Sequence, residues 1–392
     1  MNKQNLKIFL HLKIARMFRF MSKQKILSFI FPALMAVIFL SGCQPNTVSS
    51  QAIKSKAQTA LEKPTNLEPI TIAAVGDIMP GSTSIDETFL PPNNGREMLK
   101  EFTPILSAAD IAFGNLEGPM LEGGTNEKCP PEAKRCFAFR VPTRYGKHLK
   151  DAGFDILSLA NNHTSDFGDE GRFSTRKVLD ELGIKHAGSD KTEFSTTYLD
   201  VKGKRIAFIG FAHNAIVPNV NDLTFARQLV MEAGKKAHIV IISFHGGAEG
   251  EKAQNVLRET EMLGTEKRGN LPLFARTVID AGADLILGHG PHVLRGMEIY
   301  KNRLVVYSMG NFATYGMFNL KGSQGLNAVF ELKIGADGQF LGGKIHAGRQ
   351  TGRGIPVLDK SGAAIKKVRA LSQMDFAATA PKIAADGTIS AK

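Results

Sequence analysis

The sequence predicts an α/β fold with a mainly parallel or mixed sheet, and three observations support this prediction. Short apolar runs typical of strands alternate with segments of helical spacing along most of the chain. Several of these runs end in glycine next to Asp, Glu, Asn or His, a pattern typical of strands that turn into a ligand-carrying loop. The chain of 392 residues is also long enough to bury a large core in one or two domains.

The predicted strands and helices follow one another in regular order. The strands are apolar runs bounded by turn residues, at 70–75, 111–113, 154–157, 204–210, 239–244, 284–287 and 303–308. The helices are segments with helical spacing, at 98–106, 145–152, 173–182, 225–236, 271–281 and 363–371. Two alternating stretches, 328–334 and 339–346, flank the turn signal Gly335-Ala-Asp-Gly338 and predict a C-terminal β-hairpin.

The N-terminal region has the pattern of a secretory signal. A basic stretch from Met21 to Lys25 precedes an apolar run over residues 26–40. Because the first 20 residues stand in front of this pattern, translation could begin at Met17 or Met21. The run ends in Leu40-Ser-Gly-Cys43, which resembles a bacterial lipobox and implies that Cys43 carries the lipid of the mature protein. An ordinary signal peptide and an uncleaved membrane helix are the alternatives.

Four regions follow from this organisation. We expect a lipoprotein signal peptide over 1–42, a linker over 43–68, one domain over 69–350 and a C-terminal extension over 351–392. The linker is rich in Gln, Ser, Thr, Ala, Pro and Lys and has no apolar periodicity. Gln44 rather than Asp follows Cys43, which resembles the pattern for outer-membrane lipoproteins. The expected location is therefore the periplasmic face of the cell envelope, at the outer membrane.

The net charge of +12 does not predict nucleic-acid binding. Seven Lys or Arg residues and no acidic residue lie in the first 42 positions, which leaves 42 basic against 37 acidic groups in the rest of the chain. Paired lysines such as Lys235-Lys236 and Lys366-Lys367 are typical of solvated faces, although they could attract an anionic polymer.

Two further cysteines, Cys129 and Cys136, predict a disulfide. They lie close together in the chain and belong to a protein with a secretory signal. A zinc site is the alternative, but two sulfur atoms without a nearby histidine are too few ligands for it.

Polar side chains follow several of the predicted strands, and together they predict a metal site. Carboxylate, amide and imidazole groups from separate strands suit Zn²⁺, Mn²⁺ or Fe²⁺. For any single histidine a structural role is the alternative, and an Asn-rich turn with a capping role is the alternative for residues 161–162. The remaining histidines are interpreted as structural, and Asn311 as either core or pocket. The candidate residues are Asp77, Asn115, Glu117, Asn162, His163, His245, His289 and His292.

Six motifs in order resemble the signature of the CapA family of capsule-synthesis proteins, which are tied to poly-γ-glutamate assembly and export. That family in turn resembles the calcineurin-like metallophosphoesterases, whose fold is a four-layer α/β/β/α sandwich with a two-metal centre. The motifs are Val75-Gly-Asp77, Gly114-Asn-Leu-Glu117, Leu159-Ala-Asn-Asn-His163, Phe244-His245-Gly246, Gly288-His-Gly-Pro-His292-Val293 and Tyr307-Ser-Met-Gly-Asn-Phe312.

The resemblance implies a role for each candidate residue. One metal site would use Asn162, His245 and His289 with Asn115 or Glu117, and His163 would be a general acid for the leaving group. The other site would use Asp77 and His292 with Glu117. This second site is expected to be weak or absent, because Met79 stands where the phosphoesterases have a histidine. Neutral Asn115 would also bridge two cations poorly.

Three functions remain possible for this sequence. The resemblance favours a membrane-tethered component of capsule or poly-γ-glutamate synthesis or export, in contact with an anionic polymer and capsule-synthesis proteins. The retained ligands also suit a metal-dependent hydrolase of the phosphoesterase type, so enzymatic activity stays open. A periplasmic solute-binding protein fits the lipid tether but not the histidine-rich strand ends. The expected cofactor is one or two divalent metal ions.

Overall fold

The structure is a computed structural model that describes Pro64 and residues 66–130, 132–133 and 136–391. The predicted signal peptide, Cys43 and most of the predicted linker lie outside these residues. Within the described part of the chain, no helix has the length and apolar character that a membrane span requires.

Among the described residues, eighteen strands make up most of the regular structure. In chain order they are β1 (Ile70–Met79), β2 (Ile111–Leu116), β3 (Ile156–Ser158), β4 (Lys185–Ala187), β5 (Thr196–Val201), β6 (Lys204–Ala212), β7 (Ile239–His245), β8 (Glu261–Leu263), β9 (Glu266–Gly269), β10 (Leu285–His289), β11 (Met297–Tyr300), β12 (Arg303–Val306), β13 (Asn311–Thr314), β14 (Leu326–Ile334), β15 (Phe340–Thr351), β16 (Ile355–Leu358), β17 (Lys382–Ile383) and β18 (Thr388–Ser390).

Helices connect the strands of the two main sheets. In chain order they are α1 (Thr103–Leu106), α2 (Gly146–Asp151), α3 (Gly168–Glu181), α4 (Leu223–Gly234), α5 (Leu271–Asp280) and α6 (Ala363–Phe376). Short 3-10 turns lie at Glu87–Phe89, Pro92–Gly95, Thr143–Tyr145, Glu251–Ala253 and Gly322–Gly325.

The first sheet has ten strands, with a parallel half and an antiparallel half. Its main path runs β17-β18-β15-β14-β1-β2-β3-β4, and β13 and β16 pair with β1 and β15. Strands β1 to β4 are parallel, whereas β14 and β15 form an antiparallel hairpin. The predicted C-terminal hairpin is therefore confirmed, and it is built into the sheet because β14 also pairs with β1.

The second sheet has six strands in the order β11-β12-β10-β7-β6-β5. Its four central strands are parallel, and the edge strands β5 and β11 run antiparallel to their neighbours. A separate two-stranded ribbon is formed by β8 and β9. Residues 351–392, the predicted extension, contribute β16, α6, β17 and β18, and these strands pair within the first sheet.

The two main sheets pack face to face around one apolar layer. Ile72 and Phe113 of the first sheet and Phe208 and Ile241 of the second sheet belong to this layer, and all four are buried. The rings of Phe113 and Phe208 are stacked, with their centroids 5.7 Å apart. Burial of such side chains stabilises the fold by about 1.5–3 kcal/mol for each residue.

Helices cover the outer face of each sheet. Leu149 of α2 and Leu179 of α3 pack in one cluster with Leu157 of the first sheet. Val230 of α4 and Phe274 of α5 pack in another cluster with residues of the second sheet. The predicted four-layer α/β/β/α sandwich is therefore confirmed.

Close backbone contacts bring the strand ends together. Gly76 on β1 lies directly against the chain at Gly310, and a Cβ atom at position 76 would overlap the Gly310 carbonyl oxygen. The same Gly310 oxygen accepts a hydrogen bond from the Asp77 N–H, at 2.8 Å. Only glycine permits this approach, which sets the position of Asp77.

Replacing Gly76 by Ala should therefore lower the free energy of unfolding by about 3 kcal/mol or more, because the added methyl group meets rigid backbone. The matched control is Gly234→Ala at the exposed end of α4, where an added Cβ meets open space. The control should leave stability unchanged or raise it by up to about 1 kcal/mol. Urea denaturation of both variants measures the difference, and equal stabilities would show that the contact at Gly310 is not rigid.

Candidate metal centre

The candidate centre lies where the carboxyl ends of parallel strands from both sheets meet. In the first sheet, Asp77 on β1 is in register with Asn115 on β2 and Asn311 on β13. In the second sheet, His245 on β7 is in register with His289 on β10. The Nδ2 atom of Asn115 lies 3.5 Å from Nδ1 of His245, so the strand ends of the two sheets are in contact.

Asp77 has polar neighbours around both of its carboxylate oxygens, and it is completely buried. The Nδ2 group of Asn115 donates to Oδ1 at 2.9 Å, and Nδ1 of His289 lies 3.3 Å from the same oxygen. The Nδ1 atom of His292 lies 3.0 Å from Oδ2. Burial alone would raise the pKa of Asp77, but the hydrogen bonds and charges of the two histidines hold this pKa well below its ordinary value.

Glu117 follows β2 directly and is also completely buried. Neither of its carboxylate oxygens has a hydrogen-bond partner among the described residues. Its Oε1 atom lies 3.6 Å from Nε2 of His245 and 3.9 Å from Nε2 of His292. Burial, and next the charge of Asp77, raise the pKa of Glu117 to about 8. A buried carboxylate without partners is costly, so this position favours a neighbouring cation.

His245 and His292 differ in their charge. Burial lowers the pKa of His245 well below its ordinary value, although the charge of Asp77 opposes this effect, so His245 is neutral. Burial would likewise lower the pKa of His292, but the charges of Glu117 and Asp77 and the hydrogen bond to Asp77 raise it to about 10. A cation at Nε2 of His292 would compete with a proton there.

These residues fit a divalent metal ion. One ligand atom each from Asp77, Glu117 and His292 lies within 4.8 Å of the other two. The Nε2 atoms of His245 and His289 are buried without a hydrogen-bond partner in the described part of the chain, as are both oxygens of Glu117. Such orphaned electron-pair donors are what a cation satisfies, and a mixed set of carboxylate and imidazole suits Mn²⁺, Zn²⁺ or Fe²⁺.

The two amides after β3 have different surroundings. Asn161 donates from Nδ2 to Oδ1 of Asn115 at 3.1 Å. The side chain that contacts Asn115 from this turn is therefore that of Asn161, and not that of Asn162. The Asn162 side chain makes no hydrogen bond to a described residue, and its Oδ1 atom is buried without a partner. Asn162 lines a cavity next to the centre, so the structure does not join its side chain to Asp77 or His245.

His163 is held in a fixed orientation beside the centre. Its Nδ1 atom lies 2.7 Å from Oδ2 of Asp166, and its ring is stacked on Phe139 with the centroids 4.0 Å apart. A carboxylate at this distance accepts a hydrogen bond, so the proton is on Nδ1 and the lone pair is on Nε2. Burial lowers the pKa of His163, and the charge of Asp166 opposes that shift.

Lys128 is a further polar residue at the site, and the sequence pattern did not indicate it. Its Nζ atom lies 3.1 Å from Oδ1 of Asp166, 3.0 Å from Nδ1 of His163 and 3.2 Å from the carbonyl oxygen of Asn162. The predicted disulfide between the neighbouring Cys129 and Cys136 is present, with an S–S distance of 2.04 Å. The disulfide therefore closes the loop that begins at Lys128.

Three other residues surround the centre without having been predicted as site residues. Asn311, for which both core and pocket were open, places Oδ1 3.1 Å from Nδ1 of His292. His213, interpreted as structural, lies with Nδ1 3.4 Å from the carbonyl oxygen of His245. Burial and the charge of Arg268 lower the pKa of His213 to about 4. Asp166 lies three residues after His163 in the sequence. This spacing is a signal that could have identified Asp166 as the partner of the His163 imidazole.

The fold and the site together define a class: a four-layer α/β protein with a candidate divalent-metal centre at its strand ends. The chain belongs to the family described as bacterial capsule synthesis protein PGA_cap, which matches residues 71–315. It is 31% identical over 272 residues to the PGA biosynthesis protein CapA of Bacillus subtilis, covering 66% of each chain. It is 28% identical to the capsule biosynthesis protein CapA of Bacillus anthracis, covering 62% of this chain and 60% of that one.

Similarity to solved structures is more distant. A putative 5′-nucleotidase from Staphylococcus aureus is 13% identical with a TM-score of 0.41, over 74% of this chain and 55% of that one. The NAD nucleotidase of Haemophilus influenzae is 12% identical with a TM-score of 0.37, over 76% and 55% of the two chains. The chain spans about two thirds or less of the length of the two Bacillus relatives.

Replacing Glu117 by Gln should remove tight metal binding, because it takes away a buried charged donor and keeps the side-chain volume. We expect the Mn²⁺ affinity to fall about 100-fold or more, since the loss of an outer-shell partner alone costs about 10- to 100-fold. Calorimetric titration of the full chain measures the affinity, and elemental analysis counts the ions, with one tightly held ion expected.

The matched control for this experiment is Glu331→Gln. Glu331 lies on the hairpin, where its carboxylate accepts from His346 at 2.9 Å. This variant should bind Mn²⁺ as the unchanged protein does. Equal affinity in both variants would contradict a ligand role for Glu117.

Proposed function

We propose that this protein acts in the synthesis or export of a capsule or poly-γ-glutamate polymer at the cell envelope and uses a divalent metal ion at the candidate centre. One observation carries the proposal. The family match over residues 71–315 includes every candidate ligand from Asp77 to His292, so the family relationship and the centre belong to the same region. Two Bacillus relatives are described as capsule and PGA biosynthesis proteins, which supports the role in polymer synthesis.

The proposal includes a membrane tether. The lipobox-like sequence that ends in Cys43 supports a lipid anchor, and Gln44 supports retention at the outer membrane. The protein would then face the periplasm, in contact with other capsule-synthesis proteins. Such a position suits a protein that guides an anionic polymer away from the membrane.

The residues of the site divide into two groups with different tasks. Asp77, Glu117, His245, His289 and His292 would hold the metal ion. When bound, the ion would polarise a substrate oxygen or bind a polymer carboxylate. The unpartnered atoms of Glu117, His245 and His289 give this group its ability to accept a cation.

The second group handles protons. Asp166 fixes the tautomer of His163, which leaves Nε2 as the nitrogen that exchanges a proton with a bound molecule. Hydrogen bonds connect the two groups through the backbone: the main-chain N–H of His163 donates to Oδ1 of Asn161 at 3.0 Å, and the Asn161 side chain donates to Asn115. Asn115 in turn donates to Asp77. A continuous path of hydrogen bonds therefore joins the two groups.

A metal-dependent hydrolase of the phosphoesterase type is the second candidate function. The oriented pair of His163 and Asp166 favours it, because binding a polymer requires no imidazole of fixed tautomer. This candidate shares the metal centre with the first one and differs in the bond that would be broken.

Deleting the gene in the organism that encodes it should abolish or strongly reduce the extracellular glutamate polymer, measured as glutamate after acid hydrolysis of the surface material. The unchanged gene should restore the polymer, whereas Asp77→Ala should restore little, because Asp77 contacts two of the histidines. Normal polymer in the deletion strain would contradict the capsule role.

Cys43→Ala tests the tether, and this variant should be released from the membrane fraction.

Hydrolysis of bis(p-nitrophenyl) phosphate with added Mn²⁺ tests the second candidate. If the protein is a hydrolase, His163→Ala should lower kcat by about 10²- to 10⁴-fold and leave the bound metal unchanged, because His163 handles protons only. His186→Ala is the control, since His186 lies on β4 and faces Asp180 at 3.2 Å. No turnover by the unchanged protein would remove this candidate and leave the first one in place.

A further inference from the structure

A cavity of about 510 Å³ opens beside the candidate metal centre. This volume is in the range of small-molecule sites, about 300–1,000 Å³. Two lining residues connect the cavity to the centre, because Asn162 stands between Asn161 and His163, and His213 contacts the His245 carbonyl. The lining includes Lys128, Asn162, His213, Asn214, Asn221 and Lys267.

One wall of the cavity is held rigid by its own amides. Asn219 donates from Nδ2 to the carbonyl oxygens of His213 and Asn214, at 3.0 and 2.9 Å. Asn214 donates from Nδ2 to the carbonyl oxygen of Asn161, at 2.9 Å. These contacts fix the wall before a ligand arrives, which lowers the entropic cost of binding.

Two polar groups in the cavity keep hydrogen-bonding capacity for a ligand. Lys128 Nζ has three hydrogens: it donates one to the Asn162 carbonyl oxygen at 3.2 Å and forms an ion pair with Oδ1 of Asp166 at 3.1 Å. Since Nδ1 of His163 carries a proton, it accepts nothing from Lys128, and the third ammonium hydrogen is available. The buried Oδ1 atom of Asn162 has no partner in the described part of the chain and requires an N–H donor.

Each acidic group near the cavity has a basic partner, although Arg268, the partner of the lining residue Glu266, also pairs with Glu249. Glu266 accepts from Arg268 at 3.1 Å, and Asp166 is bound by Lys128. Lys267 is exposed at the other side of the lining. The cavity therefore offers two ammonium groups and one amide oxygen, which match a ligand that carries both carboxylates and N–H groups.

We propose that this cavity binds an amide-linked chain of carboxylates, such as linked glutamate residues, and that Lys128 binds one of its carboxylates. The proposal rests on the proposed function in polymer synthesis and gives the polymer a place next to the metal centre. Asn162 accepts a backbone N–H of the chain at the same site.

The disulfide loop gives Lys128 its position. The N–H groups of Lys128 and Cys129 both donate to Oδ1 of Asn126, at 3.0 Å, and the bond from Cys129 to Cys136 closes the loop. The chain then returns to Phe139, whose ring covers His163. Opening the disulfide should free Lys128 and weaken its contact with a ligand carboxylate, and the rest of the fold should remain intact.

Binding of a γ-linked glutamate pentapeptide to the full chain in detergent, measured by calorimetry, tests the proposal. Lys128→Gln should weaken binding about 10-fold or more, because it removes one charge-assisted hydrogen bond. Lys147→Gln is the matched control, since Lys147 is exposed on α2 and pairs with Asp151 at 2.7 Å. The γ-linked isoglutamine pentapeptide, which has α-carboxamides in place of the α-carboxylates, should bind weakly to every variant.

A second variant keeps the test independent of Lys128. Cys129→Ser combined with Cys136→Ser should weaken pentapeptide binding in the same direction, and a reducing agent should do so for the unchanged protein alone. Circular dichroism checks that the variant is folded. Equal binding by Lys128→Gln and the unchanged protein, or equal binding of the two pentapeptides, would overturn the proposal.

Two outcomes separate this proposal from the proposed function. If the deletion strain lacks polymer but Lys128→Gln binds normally, the cavity assignment fails alone. If binding depends on Lys128 but the deletion strain makes normal polymer, the biological role fails alone. Binding of inorganic phosphate that depends on Lys128, without any binding of the glutamate pentapeptide, would instead assign the cavity to a phosphate ester and overturn the proposal.

Discussion

The site depends on two buried carboxylates that stand closer together than their charges favour. Asp77 and Glu117 are both inaccessible to water, and the charge of Asp77 is one of the reasons why the pKa of Glu117 is raised. His292 supplies one positive charge between them. Both oxygens of Glu117 lack a hydrogen-bond partner among the described residues, and a divalent cation would satisfy this carboxyl group and reduce its repulsion by Asp77.

Strand pairing within the two sheets determines where these site residues lie. Register places Asp77 between Asn115 and Asn311, and it places His245 beside His289, so each carboxyl end delivers its side chains to the same edge. Close packing of Gly76 on Gly310 prevents β1 from shifting away from that edge. The core between the sheets and the polar cluster are therefore two consequences of one strand alignment.

Long apolar strands and the residues at their ends could be predicted from the sequence, but contacts made through turns could not. The run 239–244 became β7 and ends at His245 as expected, whereas β4, β8 and β9 were missed because each is short and lacks an apolar run. The sequence predicted Asn162 as the site residue, whereas the structure places Asn161 next to Asn115. Which of the two contacts Asn115 depends on how the turn after β3 is folded. Spacing along a chain cannot say which of two adjacent amides faces inward.

Lys128 shows why the part of the site that contacts a ligand is harder to predict than the part that holds a metal. The metal ligands lie at the ends of rigid strands, so their positions follow from the sheet. Lys128 instead reaches His163 from a loop that is held by the disulfide, by Asn126 and by the hydrogen bond from the Glu127 N–H to the Asp166 carbonyl oxygen. The loop also contributes an ammonium group at a place where a phosphoester and a carboxylate chain would both be attracted. The adjacent unpartnered amide oxygen of Asn162 distinguishes these ligands, because a linked chain of amino acids has N–H groups to donate and a phosphodiester group has none. The geometry beside the centre therefore favours a protein that holds a polymer over one selected for a phosphate bond.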